Sequence, residues 1–143
     1  MPYVRVWIHF VWSTKNWQPL ITQAIRPLLI AHVKQNAAKQ AIWLDSLNAV
    51  VDHAHALISL GKDQTTARVM QLLKGESSRW VNQQNLLPLQ LEWQEEYFAV
   101  SVSEDAVEAV RRYIQNQEEH HKKKLFSEEY AEFMREHGFG SSH

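Results

Sequence analysis

Along this chain the apolar residues change period, from two to three-or-four and back, and that succession limits the fold more than any other feature. Val4, Val6, Ile8, Phe10 and Trp12 alternate with Arg5, Trp7, His9 and Val11, which predicts a strand over 4–12 with one apolar side. From Pro19 to about Gln40, Ile21, Ile25, Leu28, Leu29 and Val33 recur at helical spacing, and Pro27 either kinks that helix or marks its true first turn. Two runs rich in Val, Ile, Leu and Trp, 41–51 and 53–60, read as strands closed by Gly61. Capping residue types at Asp63, Thr65 and Thr66 precede a stripe of Val69, Leu72, Leu73, Trp80 and Val81, a helix to about Gln84 that Gly75 weakens locally. A loop over 85–91 leads to a strand over 92–102. Ser103, Glu104 and Asp105 then open a helix expected to reach Lys124, and Ser127 to His137 form a last one ending at Gly138.

Single and paired strands interleaved with helices imply an α+β fold: a ferredoxin-like antiparallel sheet with helices on one face. The surplus C-terminal helix needs a docking place, either the open sheet face or the same face of a second subunit. At 143 residues, 45% hydrophobic and 22% charged, the chain suits one domain over 1–138, with 139–143 as a frayed tail. No apolar run nears the roughly 20 residues of a membrane helix, and the first residues lack a signal-peptide layout, so a cytoplasmic protein is expected. The 15 Lys and Arg against 16 Asp and Glu exclude binding of nucleic acid by bulk positive charge. Without Cys there is neither a thiolate metal site nor a Cys nucleophile.

The sharpest local signal is Asp52-His53-Ala54-His55, in which alternation turns both imidazoles to one face and Asp52 to the other. Two such imidazoles make half a metal site, although a bare H-x-H is more often a pair of half-exposed strand histidines. On the helix after Ser103, Ala106, Val110, Tyr113 and Gln117 form one stripe, which His120 or His121 extends. A core tyrosine explains that stripe as well as a nucleophile does. A mixed nitrogen and oxygen donor set suits magnesium or manganese. Two readings stay open on these residues: a non-catalytic ferredoxin-like nucleic-acid-binding module, and a metallohydrolase using His53 and His55 with His120, His121 or Glu118.

Four segments taken together carry more weight. His9 to Lys15 (HFVWSTK), Asp52 to His55, Leu73 to Arg79 (LKGESSR) and Tyr113 to Gln117 (YIQNQ) occur in an order that resembles the single-tyrosine HUH transposases of the insertion-sequence-two-hundred type, with the REP-associated tyrosine transposases as relatives. The resemblance implies that His53, His55 and Gln117 hold a divalent Mg or Mn ion, with His121 a lesser candidate ligand, and that Tyr113 is the catalytic nucleophile. It also implies cleavage and rejoining of single-stranded, hairpin-bearing DNA through a 5'-phosphotyrosine link, by a homodimer. Phosphate contacts are expected from Lys74, Arg79, Arg111, Arg112 and Lys122, which lie in or beside the two later helices.

Overall fold

In a computed structural model, the structure describes residues 3–117 together with Glu128, Ala131, Glu132 and Arg135. Four strands, β1 (Val6–Ser13), β2 (Trp43–Val50), β3 (His53–Leu60) and β4 (Phe98–Val102), alternate with α1 (Arg26–Lys39), α2 (Thr66–Gln83) and α3 (Val107–Gln115). The sheet order is β2-β3-β1-β4 with every pairing antiparallel, which is the ferredoxin-like split βαβ arrangement.

Period-two patterning sorts the sheet into two faces. Ile8, Phe10 and Trp12 of β1, with Ala54, Ala56 and Ile58 of β3, pack under Leu29, Val33, Val69, Met70 and Leu73 of α1 and α2 in the main core. Trp7 and Leu57 lie on the reverse face and meet Val107 and Ile114 of α3 in a smaller cluster. Burial of Leu57, Val107 and Ile114 contributes roughly 1.5–3 kcal/mol each. The Arg5–Glu104 ion pair at the same end has side chains 67% and 60% exposed, and such a pair is worth only about 0–1 kcal/mol. Apolar contact therefore holds α3 on the face that α1 and α2 leave open, within the same chain.

Several element boundaries differ from the sequence expectation. Pro27 sits in the first turn of α1, which begins at Arg26 rather than Pro19, because the ring fits where no intrahelical N–H bond is required. Residues 92–97 are not strand. Thr14 and Trp93 form an isolated bridge, Gln94 N–H donates to Ser13 O, and regular pairing begins only at Phe98. Ser103 opens a single turn of 3-10 helix, Glu104–Ala106, and its hydroxyl donates to Asp105 Oδ1 instead of capping a backbone N–H. The α-helix itself runs from Val107 to Gln115, and Gln117 is again helical. The expected stretch from 118 to Lys124 lies outside the described residues. So do most of the helix expected over 127–137, of which Glu128, Ala131, Glu132 and Arg135 are described and helical, and the tail 139–143.

Candidate active site

β3 presents His53 and His55 on the face covered by α3. Both are completely buried, and their ring centroids are 4.9 Å apart. Each imidazole is held through its Nδ1. His53 Nδ1–H donates to Asp52 Oδ1 at 2.8 Å, and His55 Nδ1 shares a 3.0 Å hydrogen bond with His9 Nε2 from the neighbouring β1. A partner on Nδ1 fixes the tautomer and makes Nε2 the nitrogen that could ligate a metal. Asp52 thus departs from the sequence reading, which turned it to the opposite face. It lies in the two-residue turn between β2 and β3, where strand alternation does not apply, so its carboxylate can fold back onto the next residue.

The tyrosine helix closes the site from above. In the stripe read from the sequence, Ala106, Val110 and Tyr113 are half-buried and Gln117 is buried, beside Val107 and Ile114, the buried residues of α3 that the stripe did not include. The Tyr113 ring stands edge-on to His55 and His9, with centroids at 5.7 and 6.2 Å. Gln117 is fully buried, with Oε1 3.3 Å from His53 Nε2 and Nε2–H donating to Tyr113 O. Two imidazoles and one amide oxygen therefore converge, a donor set that fits a borderline or hard divalent ion. Among the described residues no group of three or more His, Asp or Glu side chains could hold a metal. His121 lies outside the described residues.

Two polar contacts fix the end of α3. Asn48, buried on β2 directly across from His55, donates through Nδ2 to Ile114 O (2.9 Å) and Gln115 O (3.2 Å), while its Oδ1 accepts from Arg26. Arg111 makes a two-pronged pair with Asp45, both contacts 2.9 Å, and also donates to Glu108. Asp45 occupies a bulge between Leu44 and Ser46, an extra residue that aims its carboxylate at the helix. The Arg111 guanidinium holds the Asp45 carboxyl below its ordinary value of 3.8, and in return Asp45 raises the Arg111 pKa.

The other basic candidates are occupied in different ways. Lys74 Nζ donates to Gln94 O and Glu95 O at 2.5 and 2.9 Å and lies 5.7 Å from the Tyr97 ring centre, and burial lowers its pKa. Arg79 pairs with Glu76, which the guanidinium keeps below the usual carboxylate range. Arg112, an exposed residue, is 3.6 Å from Glu108. Lys122 is outside the described residues. Sequence reasoning missed Asp52, His9, Asn48 and Asp45 as supporting groups. His9 alone carried a local signal, since it shares the face of β1 that carries Trp7 and Val11.

No helix among the described residues is long and apolar enough to cross a membrane. Comparison with curated proteins gave no match. Among solved structures, the chain is similar to a protein assigned as a transposase from Deinococcus radiodurans R1, with 22% identity, a TM-score of 0.64 and coverage of 82% of this chain and 95% of that one. It is also similar to a REP-associated tyrosine transposase bound to a REP hairpin, with 13% identity, a TM-score of 0.61 and coverage of 85% and 72%. At these identities the likeness speaks for the fold. Residues 3–117, which span all four strands and the three helices, match the family model described as Transposase IS200 like, and the chain belongs to that family.

Proposed function

We propose that this chain is a metal-dependent transposase that cleaves and rejoins single-stranded DNA, with Tyr113 as nucleophile. The observation that carries the reading is the meeting of β3 and α3, which brings Tyr113 beside His55 and Gln117 against His53. His53, His55 and Gln117 would hold the ion, Mg or Mn. When bound, it supplies positive charge that draws electron density from the scissile phosphate.

The remaining work falls to this chain's own residues. Asp52 and His9 hold the two imidazoles in orientation, and the small cluster under α3 keeps water from the inner side of the site. The docked helix positions the Tyr113 oxygen for in-line attack, so that orientation rather than basicity does much of the work. A free phenol, with a pKa of about 10, is a weak nucleophile at neutral pH. In the step itself a bond forms between the phenol oxygen and phosphorus, and the bond to the 3'-oxygen breaks. The phenol's proton is, on balance, transferred to that oxygen. The product is a 5'-phosphotyrosine link and a free 3'-OH, and attack by another 3'-OH reverses the step without ATP.

The DNA would be hairpin-bearing and single-stranded, and the working unit a homodimer. The test is adduct formation on a 3'-labelled, hairpin-bearing single strand in Mn2+, resolved on a denaturing gel. The wild-type protein should retain the label, while Tyr113→Phe should bind the strand and retain none. An adduct with Tyr113→Phe would remove Tyr113 from the role. Binding by the wild-type protein that never leads to cleavage and ignores metal would mark a binding module instead.

A further inference from the structure

Where β1 ends, the chain turns through Asn16 and Trp17, both with left-handed backbone (φ 56° and 55°). That conformation is uncommon for any side chain and an outlier for one as large as tryptophan. Trp17 is 43% exposed and lines a cavity of about 220 Å3. Rings from Trp12, Trp17 and Tyr97 and polar groups from Asn16, Gln94 and Glu96 line it. Trp12 is 2% exposed, and its Nε1 has no hydrogen-bond partner among the described residues. Lys74 steadies the far wall through the carbonyls of residues 94 and 95 and the Tyr97 ring.

The cavity adjoins the candidate active site. Val11 and Ser13, also in its lining, pair across the sheet with His55 and His53. It is smaller than the roughly 300 Å3 at which sites for drug-sized molecules begin, which suits one flat ring. Aromatic surfaces grip any base by stacking, while amide and carboxylate groups discriminate by hydrogen bonding.

We propose that this cavity takes up one unpaired DNA base beside the strand that carries His53 and His55. Glu96 is an acceptor, Asn16 offers an amide, and Gln94, whose Oε1 accepts from Asn16 N–H, offers its amide N–H, a set that favours a base with an exocyclic amino group, such as cytosine or adenine, over thymine, which has none. The inference rests on the single-strand DNA reading above, and it assigns Trp17 to stacking and not to catalysis.

Binding of short oligo-dC, oligo-dA and oligo-dT, and of an abasic strand of equal length, tests it by tryptophan fluorescence and anisotropy. The wild-type protein should bind oligo-dC or oligo-dA more tightly than oligo-dT, and any of them more tightly than the abasic strand. Trp17→Ala should lose roughly tenfold on oligo-dC and nothing on the abasic strand, with Trp17→Phe restoring most of the loss. Equal effects on the base-bearing and abasic strands, or no effect on either, overturn the proposal. If Tyr113 still forms its adduct in the same preparation, the transposase reading survives that failure. Absence of any DNA binding overturns both.

Discussion

At the residue scale, the site depends on which nitrogen of each imidazole is engaged. His53 and His55 are two residues apart on one strand, so their common face was legible from Asp52-His53-Ala54-His55 alone. Their supports were not. His9 reaches His55 because β1 pairs with β3 in a register that sets Val11 opposite His55 and His9 on the diagonal, and register arises between strands distant in sequence. Asp52 was misread for a local reason: alternation was carried one residue too far, into the turn. If its carboxylate orients His53, Asp52→Ala weakens Mn2+ binding in the absence of DNA by roughly 10- to 100-fold, as calorimetry would measure. Unchanged affinity would reduce the 2.8 Å contact to a packing detail.

At the element scale, the question is what keeps α3 on the sheet. The stripe of Ala106, Val110, Tyr113 and Gln117 was legible from spacing, but Val107 and Ile114, which bury against the sheet, were not part of it, and the start and length were missed because Ser103 spends its hydroxyl on Asp105 and the first turn tightens into 3-10. Likewise β4 begins six residues later than its composition suggests, since Lys74 ties down the carbonyls of residues 94 and 95 from another element. The end of α3 depends on Asn48, whose amide satisfies two carbonyls that a helix C-terminus leaves open. Asn48→Ala should cost about 1–3 kcal/mol in urea unfolding and displace Gln117 from His53. A loss confined to stability, with metal affinity intact, would mean that Gln117 is positioned by other contacts.

The Asp45–Arg111 pair gives the same docking a pH signature. Asp45 titrates below its ordinary value when folded, so the pair stabilises the protein above the unfolded carboxylate's pKa of 3.8 and loses that contribution as the pH falls through the folded value. Asp45→Asn should accordingly lower Tm at neutral pH, and the gap to wild type should close under acid conditions below the usual carboxylate range. A gap that persists there would assign the effect to the bulge geometry instead of the charge.

For the whole molecule, the succession of periods led to the ferredoxin-like sheet because few topologies accommodate strand, helix, paired strands, helix and strand without crossing connections. The distribution of charge was harder to read, since a count of cations says nothing about their partners. Of the five basic residues expected to meet phosphate, Lys74 holds backbone carbonyls, Arg79 pairs with Glu76, Arg111 with Asp45, and Arg112 lies near Glu108. With a net charge of -1 and four of these five cations already beside carboxylates or carbonyls of the chain, few counterions are expected to be released on binding a single strand. Each phosphate neutralised on a single strand contributes about -0.7 to the slope of log K against log salt, so roughly four contacts give a slope near -3. Titrating a single strand across a salt series with the Tyr113→Phe protein, which should bind without cleaving, measures it. A slope near about -7 would require some ten phosphate contacts, far more than the five basic residues expected to meet phosphate could make. A shallow slope leaves stacking on unpaired bases as the main source of affinity, the contribution a near-neutral protein can draw on without bulk positive charge.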